Sequence, residues 1–182
     1  EEALTQVKTP WKKNLGDVPF HLEYPEGSLY DAIKRTADKY PDYTAFIFMG
    51  KKTSYREMLR NIENCAKSLR TIGFREGDRV TIALPNCPQG THMFYAVNLV
   101  GAIANMIHPL SAEKEIEFYL NESESVTAIT LDQFYGKFAA IRRDTPCLKH
   151  LIIATVKDAL SPLMKIGYAL TQGRKIPKVP KG

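Results

Sequence analysis

The sequence predicts an α/β fold, a mainly parallel doubly wound sheet with helices on both faces. Three observations predict it. Short β-branched runs alternate with amphipathic stretches along most of the chain, an order that builds layered α/β domains. The segment from Thr53 to Leu110 reads α-β-α-β, and parallel strands need crossover helices of that kind. No internal repeat or low-complexity segment interrupts the alternation.

Each element has its own signal. Residues 1–27 hold Pro10, Trp11, Pro19, Pro25 and Gly27 without a sustained period, and are expected to form an extended arm on the surface. Ser28 opens a helix running to Tyr40, in which Leu29, Ile33, Ala37 and Tyr40 recur at helical steps before Pro41-Asp42 ends it. Tyr43–Met49 reads as a strand, Met49-Gly50-Lys51 as a tight turn and Lys52–Ser54 as the returning strand of a hairpin. Ser54 with Glu57 spells a capping box for the next helix. Behind it Met58, Ile62, Cys65/Ala66, Leu69 and Ile72 form one apolar face, Glu63 and Lys67 a favourable pair away from it, and Gly73 the stop.

Arg79–Leu84 is a short β-branched strand broken by Pro85-Asn86. A nearly all-apolar helix follows around Met93–Ile103, then a short strand that stops at His108-Pro109. Ser111 is read as the cap of a helix through Leu120, with Ile116, Tyr119 and Leu120 inward. Val126–Leu131 is a strand with Asp132 at its end, Phe134–Arg142 a helix with Phe134, Phe138 and Ile141 on one face, and Leu148–Thr155 the last strand. In the tail, Leu160, Leu163/Met164, Gly167 and Leu170 make an apolar stripe ahead of an extended Pro- and Lys-rich end. The chain thus divides into an arm (1–27), an α/β body (28–158) and an amphipathic, basic tail (159–182).

Composition bounds the function. The 182 residues suffice for one domain with a real core, and 44% hydrophobic with 25% charged residues is ordinary globular usage. Three cysteines, Cys65, Cys87 and Cys147, lack CxxC spacing, which argues against a disulfide framework or a zinc site. No signal peptide is read, and Val97–Ile107 is short and interrupted by Asn98 and Asn105, so a reducing cytoplasm is the expected compartment. The chain starts at Glu1 without methionine and ends on Lys181-Gly182, and is read as a piece of something longer. The net charge of +5 lies wholly in the tail: Lys165, Arg174, Lys175, Lys178 and Lys181 follow the last acid, Asp158, and residues 1–158 are formally neutral.

Three blocks carry a family resemblance: T-S-Y-R-E-M before the amphipathic helix, G-D-R-V-x-I-x-L-P-N-x-P, and G-A-I-A-N-M-I-H-P-L. In this order and spacing, within about Tyr24–Ala154, the chain resembles the AMP-forming acyl-CoA synthetases. That adenylate-forming superfamily also holds luciferases and peptide-synthetase adenylation domains. The resemblance implies the first part of a larger adenylate-forming N-terminal domain. The parent would convert a carboxylic acid and ATP to an acyl-adenylate and pyrophosphate, after which CoA thiol displaces AMP. It implies ATP, Mg2+ and CoA for the parent, with none expected to bind this chain strongly. The matching blocks build scaffold in that family. The Ser/Thr/Gly-rich phosphate loop ending in Lys is not found here, and Leu170-Thr-Gln-Gly-Arg-Lys, the nearest decoy, lacks its paired glycines.

Other constellations are missing too. GxGxxG, GxxxxGK[ST], HExxH and G-x-S-x-G do not occur, and His21, His92, His108 and His150 show no ligand spacing. Two residues remain as candidates. His108 follows a strand expected to end at the sheet's carboxyl edge, where α/β ligands bind, and is a candidate for substrate contact. The plainer reading is a locally hydrogen-bonded strand-end histidine. Lys137 is the candidate for a CoA phosphate, by resemblance to basic residues near the matching place in some acyl-CoA synthetases; the plainer reading is a solvated helix lysine. The tail resembles an apolar-then-basic segment of bacterial long-chain fatty-acid ligases, which points to a fatty acid as the small-molecule substrate. Expected partners are the rest of the same polypeptide and, by self-association, a second copy; peripheral membrane contact is open and nucleic acid is not expected. The competing class is a non-catalytic α/β module whose basic tail binds a membrane or an acidic partner.

Overall fold

Four strands pair in parallel at the centre of the molecule, in the order β4-β3-β5-β6. They are β3 (Arg79–Ala83), β4 (Ile103–Met106), β5 (Thr127–Leu131) and β6 (His150–Ala154). The computed structural model describes residues 9–172, 176, 177, 179 and 180. Its helices are α1 (Leu29–Lys39), α2 (Tyr55–Thr71), α3 (Pro88–Leu99), α4 (Glu113–Glu122), α5 (Tyr135–Ala140) and α6 (Pro162–Gln172). A separate antiparallel hairpin, β1 (Thr44–Phe48) with β2 (Lys51–Ser54), leads into α2. Its two-residue turn places Met49 at φ +46° and Gly50 at +77°, the double left-handed conformation that matches hairpin twist.

The strand alternation splits the core into two layers. Val80 and Ile82 of β3 and Ile129 and Leu131 of β5 pack with Met58, Ile62, Ala66 and Leu69 of α2 and with Ala96 and Val97 of α3. Ala83 and Ala128 belong to the opposite cluster, with Ile116 and Leu120 of α4 and Phe138 of α5. Side chains one apart on a strand point to opposite faces, so both faces of this sheet are apolar and each is covered by helices. The doubly wound α/β expectation holds.

Local chemistry explains the boundaries and several corrections. Ser28 caps α1, and Asp31 completes the box by accepting the Ser28 N–H at 2.7 Å. Ser54 accepts the Glu57 N–H at 3.2 Å, but only this half of the expected box forms. The Glu57 carboxylate turns instead to Lys51 Nζ at 3.8 Å. Glu63 likewise accepts the Tyr30 hydroxyl at 3.0 Å and makes no pair with Lys67. The apolar helix begins earlier than its composition suggested, with Pro88 in its first turn, and stops at Leu99 rather than Ile103. Gly101, at φ +79°, reverses the chain: its N–H reaches Asn98 O and that of Ala102 reaches Val97 O, both at 3.0 Å. Helix α4 is capped at Ala112, not Ser111, because Glu115 reaches back to the Ala112 N–H at 2.9 Å.

The predicted apolar stripes are also rotated. Tyr30, Ile33 and Ala37 carry the inward face of α1, while Leu29 and Tyr40 are exposed. Tyr119 of α4 and Ile72 after α2 are exposed as well, and Cys65 is half-buried beside the buried Ala66. In α6, Leu163 and Leu170 face outward. Residues 9–27 form one short 3-10 helix at Pro10–Asn14 and otherwise irregular, mostly exposed backbone. The first eight residues of the expected arm, and most of the basic end, lie outside the described residues.

Candidate functional site

Parallel pairing brings the loops after β3, β4, β5 and β6 to one edge. The crossover from β3 leads outward to β4 and that from β5 leads the other way to β6, so winding reverses between β3 and β5. Ligands of open α/β sheets bind at such a reversal, beyond the carboxyl ends of the strands. Two hollows lie along this side. One, of about 180 Å3, is lined by Leu84, Pro85, Cys87, Phe94, Tyr95 and Met106 among others, and is largely apolar. The second, of about 140 Å3, lies where the hairpin, α2, α3 and Asp158-Ala159 meet, with Lys51, Glu57, Gln89, His92 and Asp158 in its lining.

The structure joins the two sequence candidates through one loop. His108 is exposed after β4, and its Nδ1 accepts the Leu110 N–H at 3.2 Å. That bond assigns the ring proton of the neutral form to Nε2. Lys137, in the middle of the short α5, is half-buried and donates to Leu110 O at 3.0 Å and Ser111 O at 2.6 Å. The ammonium therefore clamps the turn that carries His108. An ammonium has three donors, so one remains after these two bonds. We expect Lys137→Met to cost about 1 kcal/mol, the net worth of such hydrogen bonds. Faster amide exchange over residues 108–112 should accompany it; unchanged exchange would count against the clamp.

The cleft around His92 was not foreseen. His92, on the second turn of α3, packs its ring 5.9 Å from that of Phe46. Burial pushes its pKa down to about 4; the Glu57 carboxylate opposes this and Lys51 adds to it. Beside it Gln89 donates to Thr155 O at 2.8 Å, tying α3 to the segment after β6. His92 Nε2 and Gln89 Oε1 are both buried without a partner among the described residues, in a cleft with room for water. Sequence spacing gave no sign of this arrangement, since its members come from residues 48–61, 88–92 and 158–159. Among the described residues no three His, Cys, Asp or Glu side chains converge to hold a metal ion, and no helix is long and apolar enough to cross a membrane.

Fold and edge together define a doubly wound α/β protein with ligand-side loops. Residues 33–177 match the family described as AMP-binding enzyme, and the chain belongs to that family. It is 35% identical over 173 residues to the long-chain-fatty-acid–CoA ligase of Bacillus subtilis (strain 168), covering 94% of this chain and 30% of that protein. It is 27% identical over 164 residues to triostin synthetase I of Streptomyces triostinicus, covering 87% of this chain and again 30% of the relative. Among solved structures, a long-chain-fatty-acid-CoA ligase from Archaeoglobus fulgidus superposes with a TM-score of 0.69 at 26% identity, over 73% of this chain and 28% of that one. The chain thus spans under a third of the length of each.

Proposed function

We propose that this chain is the N-terminal part of an ATP-dependent acyl-CoA synthetase acting on a fatty acid. The observation that carries the reading is the 35% identity to a long-chain-fatty-acid–CoA ligase across 94% of the chain. The parent reaction joins the acid to AMP, releases pyrophosphate, and passes the acyl group to the thiol of CoA. Residues 28–158 supply the scaffold, with the arm 1–27 and the tail 159–182 joining it to the remainder of the same polypeptide. The described residues do not fit the ATP phosphates or Mg2+: they include no Ser/Thr/Gly-rich loop ending in Lys, and no group of acids converges among them. His108, with Nε2 as its donor, is assigned to the acid side and Lys137, with its remaining N–H, to a CoA phosphate. The working compartment is the cytoplasm, and surfaces left open by the sheet edges favour self-association of the isolated chain.

The test is pyrophosphate exchange with ATP and a panel of fatty acids. The protein at its full natural length should exchange, while the 182-residue chain should remain at background because phosphoryl chemistry depends on positioned charge around the phosphates. Exchange by the short chain alone would overturn the scaffold assignment. Failure of the full-length protein with every fatty acid would overturn the substrate assignment.

A further inference from the structure

We infer that the cleft around His92 binds a guanidinium group, carried by a small free molecule or by an arginine from the remainder of the same polypeptide. At about 140 Å3, enclosed by the hairpin, α2, α3 and Asp158-Ala159, the cleft suits a few heavy atoms and not a large ligand. Two acceptors come from neighbouring turns of α3: Gln89 Oε1, and His92 Nε2 in the tautomer that carries the ring proton on Nδ1. Both are buried and lack a hydrogen-bond partner among the described residues. The nitrogen of the Gln89 amide is already committed to Thr155 O at 2.8 Å, so turning the amide to present a donor instead would break that bond. Buried acceptors left unpaired are costly, and an occupant that donates to both removes the cost.

Charge and shape select the occupant. Glu57 and Asp158 bring two carboxylates to the lining and Lys51 one ammonium. Glu57 pairs with Lys51 only loosely, at 3.8 Å, and Asp158 makes no ion pair among the described residues. His92 is neutral near pH 7, burial having pushed its pKa down to about 4, so the lining holds one negative charge in excess. A cation with several N–H donors answers both the excess charge and the unpaired acceptors. A guanidinium does so better than an ammonium. Its donors lie in one plane as a fork, it takes a carboxylate with two of them, and it stacks on an aromatic face such as that of Phe48 in the same lining. A metal ion is poorly suited, because no three His, Cys, Asp or Glu side chains converge among the described residues. This site is independent of the acid, ATP and CoA assignments above.

The experiment titrates methylguanidine into the 182-residue chain and into the protein at its full natural length, following the His92 ring and the Gln89 side-chain amide by NMR. In the 182-residue chain both should shift saturably, with half-saturation at millimolar concentration, the affinity open to so small a ligand. Sodium chloride at the same ionic strength should move neither. Urea, the uncharged planar analogue, should bind roughly 10-fold more weakly, as should methylguanidine to Glu57→Gln, because a bond between charged groups is replaced by a neutral one. Asp158→Asn, at an exposed position that leaves the core intact, should weaken binding roughly 3-fold. The full-length protein separates the two sources. A matching titration means a free ligand; no response, with the His92 ring already at the saturated position of the short chain, means an arginine of the polypeptide. No shift in the short chain, equal responses to urea and methylguanidine, or affinity left intact in both variants would overturn the inference. So would a full-length protein that neither responds nor shows the saturated ring position.

Discussion

Ile62→Ala is expected to cost about 2–5 kcal/mol, the range for deleting buried aliphatic carbons and leaving a cavity. Ile62 is 0% exposed and sits midway along α2, with Met58 and Ala66 on the same stripe and Val80, Ile82 and Ile129 in the same core. Helix α2 is clamped on several sides, by α3, by the hairpin and by α1, so collapse into the vacated space is resisted. Leu69→Ala, two turns further along and 1% exposed, should fall in the same range. Phe138→Ala empties the opposite layer and should cost about 3–5 kcal/mol. Because the sheet separates Phe138 from Ile62, the two losses should add to within about 0.5 kcal/mol. Urea midpoints of the single and double variants measure this. In the full-length protein, with the activity proposed above, the same variants should lower soluble yield while surviving protein keeps its Michaelis constants. Unchanged melting with a raised constant for CoA would move α2 from scaffold to site.

The second large effect is a loss of stability on mild acidification, carried by His92. Its pKa falls from 6.5 to about 4 on folding, chiefly because burial disfavours the charged ring. As pH drops below 6.5 the unfolded ring takes up its proton first, which favours the unfolded chain. The contribution is complete above pH 6.5 and is lost as the pH falls to about 4, a total loss of about 3 kcal/mol at 1.36 kcal/mol per unit. Glu57, Lys51 and Asp158 line the same cleft, and carboxylates elsewhere titrate in part of this window. The difference between wild type and His92→Gln isolates the ring. Urea midpoints between neutral pH and pH 4.5 should converge on acidification, with the variant the less sensitive of the two. Parallel curves would show that His92 stays hydrated in the native state.

The largest mismatch between pattern and structure concerns faces rather than elements. Periodicity finds helices because any helix on a sheet needs an apolar stripe, but it does not say where along an arc the neighbour sits. In α1 the neighbour is Glu63 of α2, whose carboxylate takes the Tyr30 hydroxyl; the ring turns inward and Leu29 is left outside. In α4 the stripe narrows to Ile116 and Leu120, and Tyr119 rolls out. The α3 boundary was missed for a different reason: an all-apolar run carries no phase, so only Gly101 and the Pro88 start mark its ends.

The candidate site was legible in part. His108 could be placed after a strand because a β-branched run followed by His-Pro ends in a loop, and the loop does lie at the carboxyl edge. That Lys137 would close this same loop could not be read, because the carbonyls it holds lie 26 and 27 positions earlier in the chain. A lone histidine such as His92 has no spacing to betray it.

By itself the sequence determined which segments become helix or strand, since caps, turn residues and apolar period act over a few neighbouring residues. It also determined the neutral body and cationic tail, because charge is a sum over residues. Tertiary structure alone decided which stripe is buried, which carboxylate finds which partner, and that residues from the hairpin, α2, α3 and the start of the tail enclose a buried imidazole. Those outcomes depend on distances between segments remote in the chain, and desolvation exists only once those segments have closed around the group.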